Sequence, residues 1–345
     1  MENNLITPIK ASILSLFAIL LLFSCKKNND GPVSPPAPDS NGYYVLCEGN
    51  FNWGNASLSS YDEHNDVMTN NYFELVNGFD LGDVAQSITE TEEHYLIVVN
   101  NSAKLEVVNK DDFSSLVTIS GLNSPRYVQP INDSVVYISD LWSNVISRVN
   151  YLNGNVEAAI AVNGWAEQMV KAEDSVYVCL YDASSIGIIN AVSDSLLFEI
   201  ALDLPPSAIR LDKNGKLWVI ASEWGGISKL YRINTANRMI ENEWEFTADN
   251  GLAYMALPEN GNNIYLATYI GEIYKFPIIG SSIIAPLFTA DVTSIYAFNV
   301  NPEGAIFIGD AMDYVQNGKV MKYNESGVKL YSLESGINPN TIIFR

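Results

Sequence analysis

Histidine is almost missing from this 345-residue chain: His64 and His94 are the only two. The repeat pattern described below puts His64 in an outer hairpin and His94 in a turn before a second strand. That separation excludes a histidine-based triad and a histidine metal cluster. Basic residues are also scarce, 19 Lys and Arg against 40 Asp and Glu, for a formal net charge of −21. The first 24 residues contain one acid and one base, Glu2 and Lys10, so their removal leaves that balance unchanged. Such a surface repels phosphate backbones and excludes nucleic acid as a partner. Two readings of the acidity stay open, a surface that keeps a secreted protein soluble and a match to a cationic or metal-bearing partner. No GxGxxG or Walker pattern lies between a strand and a helix, and no helical periodicity is sustained after residue 24.

What is present is a repeat. Hydrophobic residues make up 48% and charged ones 17%, enough apolar surface for a packed core and too little charge for a disordered chain. The segment 121–160 reads as four short strands with a turn after each, and its third turn is the hairpin dipeptide Asn153-Gly154. The same phrase recurs every 40 to 46 residues or so, the period of a propeller blade. Its first-strand part occurs seven times, for example Asp83-Val-Ala-Gln-Ser-Ile, Ser124-Pro-Arg-Tyr-Val-Gln, Trp165-Ala-Glu-Gln-Met-Val and Asn340-Thr-Ile-Ile-Phe. Its second-strand part also occurs seven times, usually opening on an aromatic residue, as in Tyr95-Leu-Ile-Val and Trp218-Val-Ile-Ala.

The two series are out of phase at their ends, because the first copy begins at its second strand and the last stops after its first. The expected fold is therefore all-β: a seven-bladed β-propeller of four-stranded antiparallel blades over 42–345, closed by the C-terminal strand pairing into the first blade. A sandwich or an open solenoid of short strands is the alternative, and the matching fragments at the two ends argue against it. Cys47 and Cys179 then fall in the second strands of blades one and four and cannot meet, so two buried free thiols are expected.

Residues 1–24 carry Lys10 and a thirteen-residue, mostly apolar run from Ala11 to Phe23, too short for a membrane span and right for a secretion signal. Its end, Leu22-Phe-Ser-Cys25, resembles a bacterial lipoprotein box, which implies an acylated Cys25. Residues 25–41 contain Pro32, Pro35, Pro36 and Pro38 among polar residues and read as a tether. At roughly 3 Å per residue such a tether spans some tens of ångströms. Attachment to a membrane is expected through the lipid alone.

In a propeller, the loops after the second strands and the loops entering the first strands open on the same end of the ring. The former carry Trp53, Trp142, Tyr181, Trp224, Tyr269 and Tyr314 beside Glu48, Asn100, Asn101, Asp140, Asp182, Glu223, Asp310 and Asp313; the latter add Asp83, Tyr127 and Trp165. From these, Trp53, Asn100, Asp140, Trp142, Trp165, Tyr181, Trp224, Tyr269 and Tyr314 form the candidate ligand-binding set. A broad aromatic floor with carboxylates and amides suits a large planar or saccharide-like ligand, or a protein partner. The bland reading is that these rings pack between blades. Nearer the axis lie Gln86, Arg126, Glu167 and Gln168 as channel-mouth polar residues, with Ser207, Tyr254, Tyr296 and Asn340 on other inner strands. These residues either hold water or serve the ligand, and Arg126 and Glu167 come from adjacent blades and can pair. No catalytic residue is assigned, and no metal or cofactor. A metal-assisted hydrolase or lyase using Glu167, Gln86 and Asn340 is the weaker alternative.

The phrases Glu48-Gly-Asn-Phe, Gly54-Asn-Ala-Ser-Leu, Gly82-Asp-Val-Ala-Gln-Ser, Val98-Val-Asn-Asn-Ser, Gly121-Leu-Asn-Ser-Pro-Arg-Tyr and Gly164-Trp-Ala-Glu-Gln-Met resemble those of a family of Bacteroidota surface lipoproteins with YncE-like seven-bladed propellers. That family includes the BtuG type, which captures cobalamin and hands it to a TonB-dependent outer-membrane transporter. The resemblance implies a non-enzymatic binding protein, lipid-anchored at the outer membrane on the cell surface, that delivers a nutrient, a corrinoid, to such a transporter. A protein-interaction propeller without a small ligand is the other expectation.

Overall fold

A computed structural model describes residues 42–345 except 224, 248–250, 260, 281 and 283–284. The signal 1–24, Cys25 and the tether 25–41 lie outside the described residues. Seven four-stranded antiparallel sheets follow one another along the chain, one per repeat. Blade three, for example, runs Pro125–Pro130, Val135–Asp140, Val145–Asn150 and Asn155–Ala161. The innermost strands are Ala85–Glu90, Pro125–Pro130, Ala166–Ala172, Pro206–Leu211, Leu252–Ala256, Ile295–Val300 and Pro339–Phe344.

The last of these shares a sheet with Gly42–Cys47, pairing Ile342 with Val45 and Ile343 with Tyr44. It supplies the innermost strand of blade one, as the out-of-phase ends predict. Arg345 adds a latch, its guanidinium 4.6 Å from the Tyr44 ring centroid and bonded to Tyr61 O. The protein is a seven-bladed β-propeller.

The core explains why each second strand is an unbroken apolar run rather than an alternating one. Side chains of a strand point to opposite faces in turn, and in a propeller both faces meet a neighbouring blade. Tyr95, Ile97 and Val99 pack with Tyr44 and Leu46 of blade one, whereas Leu96 and Val98 pack with Val136 and Ile138 of blade three. Seven apolar clusters result, one between each pair of neighbours, and the seventh joins Phe307 and Val320 of blade seven to Tyr43 and Val45 of blade one. The aromatic that opens a second-strand phrase also reaches the following blade. Tyr177 Oη donates to Thr235 O at 3.2 Å, and Tyr265 Oη donates to Glu325 Oε1 at 2.5 Å. Outer strands face water: in Asn155–Ala161 only Ile160 is buried. The turn before that strand is the expected hairpin, with Gly154 at φ +77°, a conformation that L side chains rarely adopt.

Two details differ from the sequence reading. A six-residue helix, Tyr72–Asn77, lies in the connection from blade one to blade two, between left-handed Asn71 and Gly78, and is too short to show a period. His94 is the first residue of strand His94–Val99 rather than part of the turn before it, its backbone N–H donating to Thr91 Oγ1 at 3.1 Å.

One irregularity is shared by all seven blades. The ladder between the first and second strands slips at its start, so that extra residues on the inner strand face fewer on its partner. A bulge of this kind bends the strand and re-aims the unpaired side chains. The residues skipped by the pairing are Gln86, Arg126 and Tyr127, Glu167 and Gln168, Ser207, Ala253, Tyr296 and Asn340.

Candidate functional site: the aromatic mouth and the axial channel

The bulges bring polar residues of six inner strands to one place, and the paired residue Tyr254 joins them from the seventh. A cavity of about 600 Å³ is lined by Gln86, Tyr127, Gln168, Ser207, Arg210, Tyr254, Tyr296 and Asn340, with Glu48 and Tyr269 also in its wall. Arg126 Nε and Nη2 both meet Glu167 Oε2 at 3.2 Å, and its Nη1 donates to Gln86 Oε1. Gln86 in turn donates to Tyr127 Oη at 3.4 Å. Arg126 and Glu167 thus pair across neighbouring blades. Burial raises the Glu167 carboxyl above its usual range, against the pull of Arg126. Lost hydration would lower the Arg126 guanidinium, but Glu167, with Tyr127 and Glu48, holds it above its ordinary value.

A second network crosses from blade seven to blade one. Tyr296 Oη donates to Glu48 Oε2. Burial raises Glu48 too, while Tyr296, Arg126 and Asn340 favour its charged form. Asn340 Nδ2 donates to the carbonyls of Ala85 and Gln86 at 2.8 and 3.1 Å, so its amide sews the closing strand to blade two. Arg210, which the sequence reading leaves out, also lines the channel, donating from Nη1 to Gln168 Oε1 at 2.6 Å. The signal was present: Arg210 stands in an inner-strand phrase otherwise made of small and apolar residues, Pro206-Ser-Ala-Ile-Arg-Leu.

At the mouth the rings form an arc. Trp142 and Trp165 meet edge to face at 5.1 Å, and Trp165 and Tyr181 lie nearly parallel at 6.4 Å. Loss of hydration raises the Tyr269 phenol, and the neighbouring phenols of Tyr181 and Tyr314 add to the rise. Tyr314 meets Tyr296 edge to face at 5.7 Å. Rings from blades three, four, six and seven therefore converge on one opening. Several remain open to water: Trp142 is 64% exposed and Tyr269 60%, and Trp53 on the blade-one loop is 75% exposed. Trp224 lies outside the described residues.

The polar members of the candidate set hold these loops in shape. Asp140 Oδ1 accepts from the backbone of Trp142 and Ser143 at 3.0 and 2.9 Å, and its Oδ2 accepts from Ser124 N at 2.7 Å. Asp182 Oδ1 accepts from Trp165 N at 2.6 Å. Asn100 Nδ2 donates to Ser124 Oγ and Pro125 O at 3.0 and 2.8 Å. Neighbouring loops are also tied, Asn101 to Asn52 at 3.2 Å and Asn50 to Tyr314 O at 2.6 Å. Preorganised loops that present exposed rings are what a ligand surface needs, since little ordering remains to be done on binding. Among the described residues, no group of three or more His, Cys, Asp or Glu side chains is arranged to hold a metal ion. Nor, among them, is any helix long and apolar enough to cross a membrane.

Residues 41–323 match a family described as a domain of unknown function, DUF5074. The chain belongs to that family. Among curated proteins none matches the DUF5074 chain. Solved structures of similar shape include a quinonprotein alcohol dehydrogenase-like protein of Bacteroides thetaiotaomicron, 18% identical, covering 88% of this chain and 78% of its own with a TM-score of 0.72. The periplasmic gluconolactonase of Pseudomonas aeruginosa is 10% identical, covers 88% and 99%, and scores 0.69. A 6-phosphogluconolactonase-like protein of Bacteroides uniformis is 16% identical, covers 89% and 100%, and scores 0.66. At these identities the likeness shows the propeller fold alone. Because two of these proteins carry lactonase names, shape by itself does not exclude catalysis.

Proposed function

We propose that this DUF5074 protein is a binding propeller that captures a large ring-bearing molecule at its aromatic mouth and releases it unchanged. The supporting observation is the arc Trp142–Trp165–Tyr181 with Tyr269 and Tyr314, presented by loops already fixed by Asp140, Asp182 and Asn100. Aromatic rings contribute most of the energy in such surfaces when a ligand covers them, and rigid ones cost little entropy to order. The resemblance of the repeated phrases to the YncE-like surface lipoproteins, a family that includes the BtuG type, supplies the finer reading. In it the ligand is a corrinoid, the protein hangs from an acylated Cys25 on the outside of the outer membrane, and a TonB-dependent transporter receives the cargo.

Calorimetry of the mature protein with cyanocobalamin tests the ligand. Saturable binding is expected, weakened by about 1 to 3 kcal/mol in Trp142→Ala if that ring is a central contact. Neither heat nor thermal stabilisation at micromolar protein removes the corrinoid. A transporter retained in membrane pull-downs without ligand, and equally with it, favours a protein-interaction propeller instead. The lactonase-named neighbours support a second reading, hydrolysis at the channel mouth. Against it, the carboxylate and amide that a metal would need, Glu167 and Gln86, are already engaged by the Arg126 guanidinium. Turnover of a lactone that a chelator abolishes would favour hydrolysis; no turnover with or without metal leaves binding.

A further inference from the structure

Two arginines of the inner strands, Arg210 in the channel wall and Arg126 bonded to the lining residue Gln86, are in different electrostatic situations. Arg126 has its counter-ion, Glu167, at 3.2 Å from two of its nitrogens. Arg210 has none: its recorded partners are neutral oxygens, Gln168 Oε1 at 2.6 Å and its neighbour's carbonyl, Ile209 O, at 2.7 Å. Among the described residues no carboxylate forms an ion pair with it, although the chain has 40 acidic residues and 19 basic ones. Both bonds use Nη1, which leaves Nε and Nη2 without an acceptor among the described residues, and neither is a buried orphan. Those nitrogens belong to a side chain in the wall of the 600 Å³ cavity, with Ser207, Tyr127 and Gln168 beside it.

A guanidinium out of bulk water and lacking a counter-ion is costly to keep. Lost hydration lowers the Arg210 pKa, opposite to the net direction at Arg126. Gln168 also fixes the plane of the fork, since its Oε1 accepts from the guanidinium and from Ile209 N at 3.3 Å. A planar fork held in place with free donors matches a two-oxygen anion better than a point charge would.

We infer that Arg210, positioned by Gln168, is an oxyanion subsite of the axial channel that takes the carboxylate or phosphate group of a small ligand. The acidic exterior repels free anions, so the site favours an anionic group that enters on a larger molecule or from a concentrated source. The inference does not depend on which ring-bearing molecule covers the mouth.

The test measures binding of inorganic phosphate and of acetate to the mature protein, by calorimetry and thermal unfolding, with chloride exchanged at constant ionic strength. Wild type should show saturable, one-site stabilisation by at least one of the two anions beyond chloride. Arg210→Gln should weaken it by about tenfold or more, the loss of a charge-assisted fork. Because that variant leaves a cavity wall altered, Gln168→Glu is the second arm. It supplies the missing carboxylate internally, so it should raise stability in anion-free buffer and abolish the anion response. Phosphate preferred over acetate assigns a phosphoryl group; the reverse assigns a carboxylate. Equal responses to phosphate, acetate and chloride in wild type, or an anion response that survives in both variants, overturns the inference. Corrinoid binding that fails while the anion response persists separates this site from the reading of the mouth.

Discussion

Removing Arg126 while leaving Glu167 in place should expose how the channel is held together. Glu167 is 8% exposed, and among the described residues the only cation bonded to it is Arg126, through two nitrogens at 3.2 Å. Charge centres about 4 Å apart attract by about 4 kcal/mol at an effective dielectric of about 20. Breaking a buried pair by removing one partner costs about 3 to 5 kcal/mol. Arg126→Met should therefore be destabilised by about 3 to 5 kcal/mol near pH 8. The sign of the pH dependence follows from Glu167, whose folded pKa is already raised by burial. A carboxyl with a raised folded pKa binds its proton more tightly in the native state, so it favours folding at low pH and that contribution is lost as pH rises through the folded value. Without Arg126 the folded pKa rises further, so the deficit of Arg126→Met should shrink between pH 8 and pH 5. Urea unfolding of the wild type, Arg126→Met, Glu167→Gln and the double variant closes the cycle, and the double variant should recover most of the loss. A single variant within about 1 kcal/mol of wild type at pH 8, below the range for a broken buried pair, or a double variant no better than the single, would refute this account of the channel.

Three further outcomes follow from the same geometry. Ile342 is 3% exposed in the closing strand, and Ile342→Ala should cost about 2 to 5 kcal/mol by thermal or urea unfolding; a smaller loss means that the ring does not depend on that seam. Cys47 and Cys179 are free and buried, and burial pushes the Cys47 thiol up to about 11. Both should therefore ignore a thiol reagent at pH 8 until denaturant is added, and a mass spectrum of unreduced protein showing them linked would contradict the ring. Asp140→Ala removes the acceptor for Ser124, Trp142 and Ser143 N–H groups, which should destabilise the protein by about 1 to 3 kcal/mol and weaken any ligand that needs Trp142; unchanged stability and affinity would show that the loop shapes itself without it.

Much of this architecture is legible in the chain because a propeller repeats its physics. Each second strand must bury both faces, so it appears as an apolar run such as Val135-Val-Tyr-Ile-Ser, and seven such runs fix the blade count. The out-of-phase ends predict that the C-terminal strand enters blade one, and the structure adds the register, Ile342 opposite Val45. Loop position alone brings Trp142, Trp165 and Tyr181 together, because a loop after a second strand and the loop into the next first strand open on one end. The roles within that end were less legible. Asp140 and Asn100 stand among the candidate ligand contacts in the sequence; the structure adds that both hold backbone and side-chain groups of their own and adjacent loops, which only three-dimensional hydrogen bonding reveals.

The sequence already places Gln86, Arg126, Glu167 and Gln168 near the axis and leaves out Arg210, and the bulges explain how adjacent residues come to share that place. A regular strand sends alternate residues to opposite faces, so strict alternation alone would divide Arg126 from Tyr127 and Glu167 from Gln168. The slip in each first-to-second strand ladder breaks that rule at the start of every inner strand, leaving two residues opposite one in blades three and four. It turns Arg126 toward Glu167 of the next blade and leaves Gln168 free to hold Arg210 of the blade after that. A chain Gln86–Arg126–Glu167 and a chain Gln168–Arg210 thus lie side by side across blades two to five, built from positions that strict alternation would divide. The first chain is charge-balanced and the second is not. That difference arises from one amide, Gln168, standing where a carboxylate would have neutralised Arg210.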